Sequence, residues 1–223
     1  MPPKKKKSTK KASTMGETIL VSRDMTVLTK KYDKLKKVTG VRLIDDYEPL
    51  LQPPEGMSLN DFLVVSAIDY LERVDKLYQV CSLFCTSETC PMFNAGPRYH
   101  YFWEDESTID PVQLSPSEYL LKLITWSKRK LGDAKLFPKT DNAELSDDAQ
   151  VVLQTIYRRT TRFLNHLYVC HFSTIRHNNI EPVINTLLVH YVLLALRYNM
   201  MEVTSIEMLK PVFDAMKIQI PGL

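Results

Sequence analysis

The chain has 223 residues, of which 44% are hydrophobic and 25% are charged. This is the composition of an ordinary globular protein, and it excludes a chain that is disordered throughout. There are only six glycines, which argues against a β-sandwich with many tight turns and against a glycine-rich phosphate loop.

The charge is unevenly distributed, although the formal net charge is only +3. Six lysines and no acidic residue lie in residues 1–12, which leaves 23 basic and 26 acidic residues, a net charge of −3, in the remainder. We expect residues 1–17 to form a disordered lysine-rich tail, residues 18–52 an irregular N-terminal arm and residues 53–223 one helical domain. The lysine run is also a candidate nuclear-import signal or a contact for nucleic acid.

No apolar stretch follows the lysine run, so the sequence predicts no secretory leader and a cytoplasmic protein that also has access to the nucleus. The most apolar segment, residues 183–196, is too short to span a bilayer and reads as a buried helix. Four cysteines in a reducing compartment favour metal ligation over disulfide bonding.

Taken in chain order, hydrophobic periodicity and helix-capping residues predict a mainly α-helical fold with a bundle core. A short helix is possible near residues 25–37, and a long loop over residues 86–114 should contain a short strand or hairpin arm at residues 98–103. Longer helices are predicted from Leu59 toward Cys85 and over residues 116–130, 146–176 and 183–200. A last helix over residues 205–216 should kink or restart at Pro211.

A pair of cysteines and a pair of histidines form the main chemical pattern. Four residues separate Cys85 from Cys90, four separate His166 from His171, and 75 residues separate the two pairs. Two thiolates and two imidazoles suit tetrahedral Zn²⁺. Free cysteines are also often small core residues, and helical histidines are often simply hydrogen-bonded, so the spacing leaves both interpretations open.

Helical geometry leaves the choice of metal ligands open as well. On a straight helix, His166 lies roughly 40° from Cys170 and roughly 140° from His171, so Cys170 competes with His171. Cys81 competes with Cys90 as the partner of Cys85, although Cys81 also falls on the apolar stripe of the helix that begins at Leu59, where core packing explains it better.

The cysteine and histidine pairs, together with the segments given below, resemble the Mob kinase-activator (Mob/phocein) family. Within that family the sequence is most similar to the Hippo-pathway adaptors that bind NDR/LATS kinases. The resemblance covers about residues 53–216, in order and with similar gaps. It rests on Pro54-Glu55-Gly56 and Leu59-Asn60-Asp61, on Phe84 to Pro91 with its two cysteines, on Ala95 to Tyr99 with Tyr101 and Trp103, on Thr125-Trp126 and Leu136-Phe137-Pro138, on His166-Leu167-Tyr168 and His171-Phe172, and on Asn185, Thr186 and His190.

The resemblance implies a Mob-type four-helix-bundle core with additional helices and one structural zinc ion. Its ligands in this chain would be Cys85, Cys90, His166 and His171. Four protein ligands close the coordination sphere, so a zinc ion there would stabilise the fold without activating a water molecule.

A stripe along the first core helix is a candidate kinase-binding surface. Asp61, Val65 and Asp69 step along one helical face toward Glu72, with Phe62 beside them. Most acidic stripes are simply solvated. The resemblance implies instead that Asp61, Phe62, Val65 and Asp69 bind the basic N-terminal regulatory segment of an NDR/LATS-class kinase.

Three arginines of the long helix form a second candidate surface. Arg158, Arg159 and Arg162 lie within about 100° of arc, and such a group is either a solvated basic face or a grip for phosphate. The resemblance implies that they bind a phosphothreonine peptide of an upstream Ste20-like kinase. In the family, phosphorylation of the N-terminal arm can tune kinase binding, but the arm of this chain does not match well enough for the resemblance to place that site at Thr39 or at any other residue.

The sequence therefore predicts a non-catalytic adaptor that binds and activates a kinase. A zinc hydrolase is an alternative, but the sequence contains no H-E-x-x-H or comparable motif. A nucleic-acid binder that uses the lysine tail is another alternative, against which the acidic body argues.

Overall fold

The computed structural model describes residues 18–20, 35, 37–140 and 143–223. The predicted lysine-rich tail and most of the short helix predicted near residues 25–37 lie outside these residues. Within them the fold is mainly helical, as predicted. The α-helices are α1 (Leu59–Cys81), α2 (Pro116–Leu131), α3 (Asp147–His177), α4 (Glu181–Arg197) and α5 (Lys210–Ala215). Short 3₁₀ helices span Glu48–Leu51 and Val203–Leu209.

Three of the long helices begin at a serine that caps them. Ser58 caps α1 by accepting a hydrogen bond from the backbone N–H of Asp61, and Ser146 caps α3 in the same way. Ser115 and Glu118 form a reciprocal capping box at α2, whose first position is Pro116. Each cap satisfies backbone N–H groups that would otherwise lack partners at the helix start.

The 31-residue α3 is the central helix, and α1, α2, α4 and the 3₁₀ helix Val203–Leu209 all contact it. Its middle is buried on every side, from Thr160 through Val169. Asn179, in the left-handed region at φ 56°, leads from α3 into α4. Pro182 fits the first turn of α4, so α4 begins two residues earlier than predicted.

Two strands from the loop between α1 and α2 and one strand that precedes α1 form a small antiparallel sheet. Strand β2 (Tyr99–Trp103) is the predicted strand, and it pairs on one side with β1 (Thr18–Leu20) and on the other with β3 (Val112–Gln113). Its alternate residues Tyr99, Tyr101 and Trp103 are buried, so β2 closes the core over the side of α3 that carries the arginines.

The segment before α1 packs against α4. The backbone N–H of Thr39 donates to the buried carboxylate of Glu181, that of Leu43 donates to the hydroxyl of Thr186, and the amide of Asn185 donates to the carbonyl of Val41. Residues 39–43, which the sequence assigned to the N-terminal arm, thus contact a helix of the predicted helical domain. The division of the chain at residue 53 stays a prediction.

The last predicted helix restarts at Pro211, as expected. A 3₁₀ helix ends at Leu209 and α5 begins at Lys210, with Pro211 in its first turn. The missing N–H of proline is tolerated in a first turn and not in a helix interior.

Candidate metal centre and partner surfaces

The two cysteines and two histidines predicted as zinc ligands converge in the fold. The ligand atoms of Cys85, Cys90, His166 and His171 all lie within 4.8 Å of one another. The Cys85 Sγ and His166 Nε2 atoms are 3.3 Å apart, the Cys90 Sγ and His171 Nε2 atoms 3.2 Å, and the two Nε2 atoms 3.1 Å. Donor atoms around a tetrahedral zinc ion are separated by roughly 3.3–3.8 Å, so these distances are close to that range, and small side-chain rotations would fit the four residues to the ion.

The surroundings of His166 orient it for ligation. Its Nδ1 atom lies 2.6 Å from the carbonyl oxygen of Asn94, which can only accept a hydrogen bond. Nδ1 therefore carries the proton, and the lone pair of Nε2 faces the cluster. The rings of Phe93 and Phe84 pack against His166 and His171, with centroids 5.4 Å and 5.3 Å apart.

Burial, together with the neighbouring Cys90, raises the pKa of the Cys85 thiol. A buried thiolate requires a nearby positive charge, and a metal ion supplies one by binding it. This donor set is therefore suited to holding a cation.

The structure also separates the competing ligands from the cluster. The thiol of Cys170 points to the side-chain oxygen of Asn94, 3.5 Å away, and Cys81 is fully buried in the core. Helix α3 runs unbroken through His166 and His171. The two imidazole rings therefore come together because their side chains are long enough to reach, and not because the helix bulges between them.

The stripe on α1 has a different composition from the one predicted. Phe62 is buried and packs edge-on against Tyr198, so its ring does not reach the surface. Ile68 is 38% exposed, and Val65 is 51% exposed. We call the surface formed by Asp61, Val65, Ile68, Asp69 and Glu72 the acidic face of α1.

Ile68 could have been placed on this face from the sequence. It follows Asp61 by seven residues, or two helical turns, and so points in nearly the same direction. The acidic face therefore has two apolar residues at its centre and carboxylates around them.

Asp69 has two partners within the protein. Its Oδ2 atom accepts a hydrogen bond from Arg73 Nε at 2.7 Å and another from the hydroxyl of Tyr191 on α4. Burial alone would raise the pKa of Asp69, but these two hydrogen bonds outweigh it and hold the pKa below its usual value.

The three arginines of α3 share one arc of the helix but differ in exposure. Arg159 is 0% exposed and Arg162 is 2% exposed, because β2 and α2 cover them, whereas Arg158 is only partly buried. Periodicity alone did not predict this difference, because it gives a direction around the helix axis and not what packs there.

Aromatic rings and oxygen atoms hold the two buried guanidiniums. The Arg159 guanidinium carbon lies 4.5 Å from the Trp103 ring centroid and 5.3 Å from that of Trp126. Its Nη2 atom donates to the Glu104 carbonyl at 2.6 Å. Arg162 donates to the Tyr119 hydroxyl at 2.6 Å and stacks on Tyr101.

Arg158 borders a surface pocket of about 290 Å³. Burial, followed by repulsion from Arg162 and Arg159, lowers the pKa of Arg158. The cluster therefore concentrates positive charge beside an opening, and Arg158 is the member nearest to solvent. The other residues that line the pocket are Gln154, Asn199, Met200, Met201, Glu202 and Ser205.

No helix in the described ranges is both long enough and apolar enough to cross a membrane.

Comparison with known proteins points to one family. The model of the Mob1/phocein family matches residues 42–209. The chain is 31% identical over 164 residues to the maintenance of ploidy protein mob1 of Schizosaccharomyces pombe, which covers 73% of this chain and 78% of that protein. It is 29% identical over 187 residues to MOB kinase activator-like 1 homolog B of Dictyostelium discoideum, covering 83% and 87% of the two chains.

A plant relative gives the same result. MOB kinase activator-like 1B of Medicago sativa subsp. falcata is 31% identical over 163 residues, covering 73% of this chain and 76% of its own. The family match includes all four residues of the candidate metal centre, the acidic face of α1 and the three arginines of α3. The chain belongs to the Mob1/phocein family.

Proposed function

We propose that this protein is a non-catalytic adaptor that binds and activates a protein kinase of the NDR/LATS class. Family membership and relatives named as MOB kinase activators support a kinase-regulating role. The four-donor metal centre supports a non-catalytic one, because it leaves no position for an activated water molecule.

The acidic face of α1 is the observation that carries this proposal. Val65 and Ile68 expose apolar surface, and Asp61, Asp69 and Glu72 surround them with carboxylates. A basic amphipathic helix would bury its apolar side chains on the centre of this face and pair its arginines or lysines with the rim. The basic N-terminal regulatory segment of an NDR/LATS-class kinase has that chemistry. Phe62 supports the face from beneath.

Activation would follow from ordering that segment. A kinase segment that is held as a helix on α1 favours the kinase conformations with which the helix is compatible. In this mechanism the adaptor binds some kinase conformations more tightly than others, and it contributes no chemical group to the reaction.

A matched pair of variants tests the docking. Val65→Lys places a positive charge at the centre of the acidic face, and Val151→Lys makes the same change at a valine of similar exposure on α3 (54% against 51%). With a kinase N-terminal peptide in calorimetry, we expect Val65→Lys to lose at least tenfold in affinity and Val151→Lys to bind like the parent. Equal affinities for all three proteins would contradict the proposal.

We further propose that the arginine cluster binds a phosphothreonine peptide of an upstream Ste20-like kinase, with Arg158 making the first contact. Of the three guanidiniums only that of Arg158 lines the open pocket, and a guanidinium can bind a phosphate through forked, charge-assisted hydrogen bonds. The buried Arg159 and Arg162 would add positive charge close to it. Lys122→Glu is the matched control for Arg158→Glu, since Lys122 is exposed on α2.

The phosphopeptide and its unphosphorylated form, titrated against both variants, test this second proposal. We expect Arg158→Glu to abolish the preference for the phosphorylated form and Lys122→Glu to keep it. If the parent protein showed no preference for the phosphopeptide, the proposal would be wrong.

The metal centre would be structural. One Zn²⁺ held by Cys85, Cys90, His166 and His171 would fasten the loop that follows α1 to the C-terminal half of α3. It would thereby position the start of the loop that leads to β2 over the arginines.

A further inference from the structure

We infer that Arg73 is an internal competitor for the Oδ2 atom of Asp69, so that a guanidinium of the docking partner must displace Arg73 in order to pair with both oxygens of that carboxylate. The inference rests on the proposed docking at the acidic face of α1. It identifies Arg73 as a residue that lowers the affinity for the docking partner, because Arg73 already occupies an oxygen with which a cation of the partner would pair.

The geometry gives Arg73 the position that a partner's guanidinium would take. Arg73 lies one helical turn after Asp69, and its Nε atom is 2.7 Å from Asp69 Oδ2. Tyr191 donates to the same oxygen from the side of α4. Both donors lie on Oδ2, and an oxygen with two donors already in place has little capacity for a third. A partner guanidinium that forks across Oδ1 and Oδ2 must therefore replace one of them.

Of the two donors, Arg73 is the one that can leave. The Tyr191 ring is buried and stacks on Tyr70, with ring centroids 4.2 Å apart, so its hydroxyl is fixed. Arg73 is more than half exposed, and the side chain of an exposed arginine can swing into water at small cost. Tyr191 therefore holds the carboxylate in place while Arg73 is exchanged.

A substitution of Lys76 is the control that separates competition for Asp69 from a general effect of positive charge on peptide binding. It is exposed on α1, seven residues after Asp69 and therefore on nearly the same face. Among the described residues its side chain, unlike that of Arg73, has no ion pair or hydrogen bond with Asp69. Arg73→Met and Lys76→Met each remove one positive charge from beside the acidic face, but only Arg73→Met releases Asp69.

Calorimetry with the basic kinase peptide used to test docking would decide the inference. An exposed ion pair contributes little free energy, so we expect Arg73→Met to bind roughly two- to fivefold tighter than Lys76→Met. Arg73→Gln keeps an N–H donor at the place of Arg73 Nε, the atom that donates to Asp69, and should therefore gain less than Arg73→Met. In an Asp69→Asn background, the difference between Arg73→Met and Lys76→Met should disappear.

Three results would overturn the inference. If the parent protein binds the peptide and the two single variants bind equally, Arg73 acts only through its charge and is not a competitor. If none of the proteins binds the peptide, the proposed docking fails and the inference fails with it. A difference that persists in the Asp69→Asn background would also contradict it, because the gain would not involve that carboxylate.

Discussion

The guanidinium of Arg159 stacks on the indole of Trp103, with 4.5 Å between the guanidinium carbon and the ring centroid. Trp126 on α2 faces the same guanidinium at 5.3 Å. One arginine of α3 therefore joins β2 and α2 to the central helix, and this arginine also belongs to the candidate phosphate-binding cluster.

Because of this position, alanine substitutions at Arg159 and at the neighbouring Arg158 should have different effects on the stability of the fold. Arg159→Ala should cost about 3 kcal/mol of stability, because it removes stacking on two indoles and leaves a cavity in the core. Arg158→Ala should cost less than about 1 kcal/mol, because its side chain is partly exposed. Chemical denaturation of both variants measures the difference, and equal losses would contradict the structural role of Arg159.

The metal centre predicts that metal content and stability change together. Cys90→Ser should reduce bound zinc from about one ion per chain to near zero and lower the melting temperature. A loss of ~3 kcal/mol corresponds to roughly 6–12 °C for a chain of this size. Cys170→Ser is the control and should change neither quantity. If Cys170→Ser released the metal instead, the assigned ligand set would be wrong.

The hydrogen bond that the Tyr191 hydroxyl donates to Asp69 predicts a contribution to stability that depends on pH in the acidic range. Because the folded pKa of Asp69 is held below its usual value of 3.8, the carboxylate stabilises the fold above that pH. This contribution is lost as the pH falls through the lowered pKa. Tyr191→Phe removes one of the two hydrogen bonds that lower the pKa, so stability should fall less between pH 5 and pH 2.5 in this variant than in the parent.

Urea denaturation at several pH values would measure that slope. Tyr198→Phe is a suitable control, because the Tyr198 hydroxyl donates to a backbone carbonyl, that of Leu51, and not to a carboxylate. If Tyr191→Phe and the parent lost stability in parallel, the hydroxyl would not stabilise the ionised form of Asp69.

His190 predicts a second pH effect near neutrality. Burial lowers the pKa of its imidazole below the usual 6.5, although the carbonyl of Leu50 and the charge of Asp69 oppose the shift. The neutral ring is therefore favoured in the fold, and its contribution to stability is lost as the pH falls from 6.5 through the lowered pKa. An NMR titration of the ring protons should give a pKa below 6.5, and a value above 6.5 would contradict this environment.

Capping chemistry explains why so much of the fold was predictable. Ser58, Ser115 and Ser146 each precede an amphipathic run, and all three are N-caps in the structure. These signals are local, so a single sequence carries them. The pairing of Cys85 and Cys90 with histidines was visible as a spacing, but distance along the chain could not show that Cys170 turns toward Asn94.

The less predictable features depend on tertiary neighbours. Phe62 is buried because Tyr198, at the end of α4, packs against its ring, whereas Ile68 on the same helix stays exposed. Arg159 and Arg162 are buried because β2 and α2, which are far away in sequence, cover them. Helical periodicity gives only the direction of a side chain, so it cannot show whether another element packs there.

Kinase activity measured in the presence of the adaptor tests the central claim most directly. An NDR/LATS-class kinase would be assayed alone, with the parent protein, with Val65→Lys and with Val151→Lys, after thermal melting has shown that both variants fold. We expect the parent protein and Val151→Lys to stimulate the kinase equally and Val65→Lys to leave it near its basal activity. Equal stimulation by Val65→Lys, or no stimulation by the parent protein, would contradict the account.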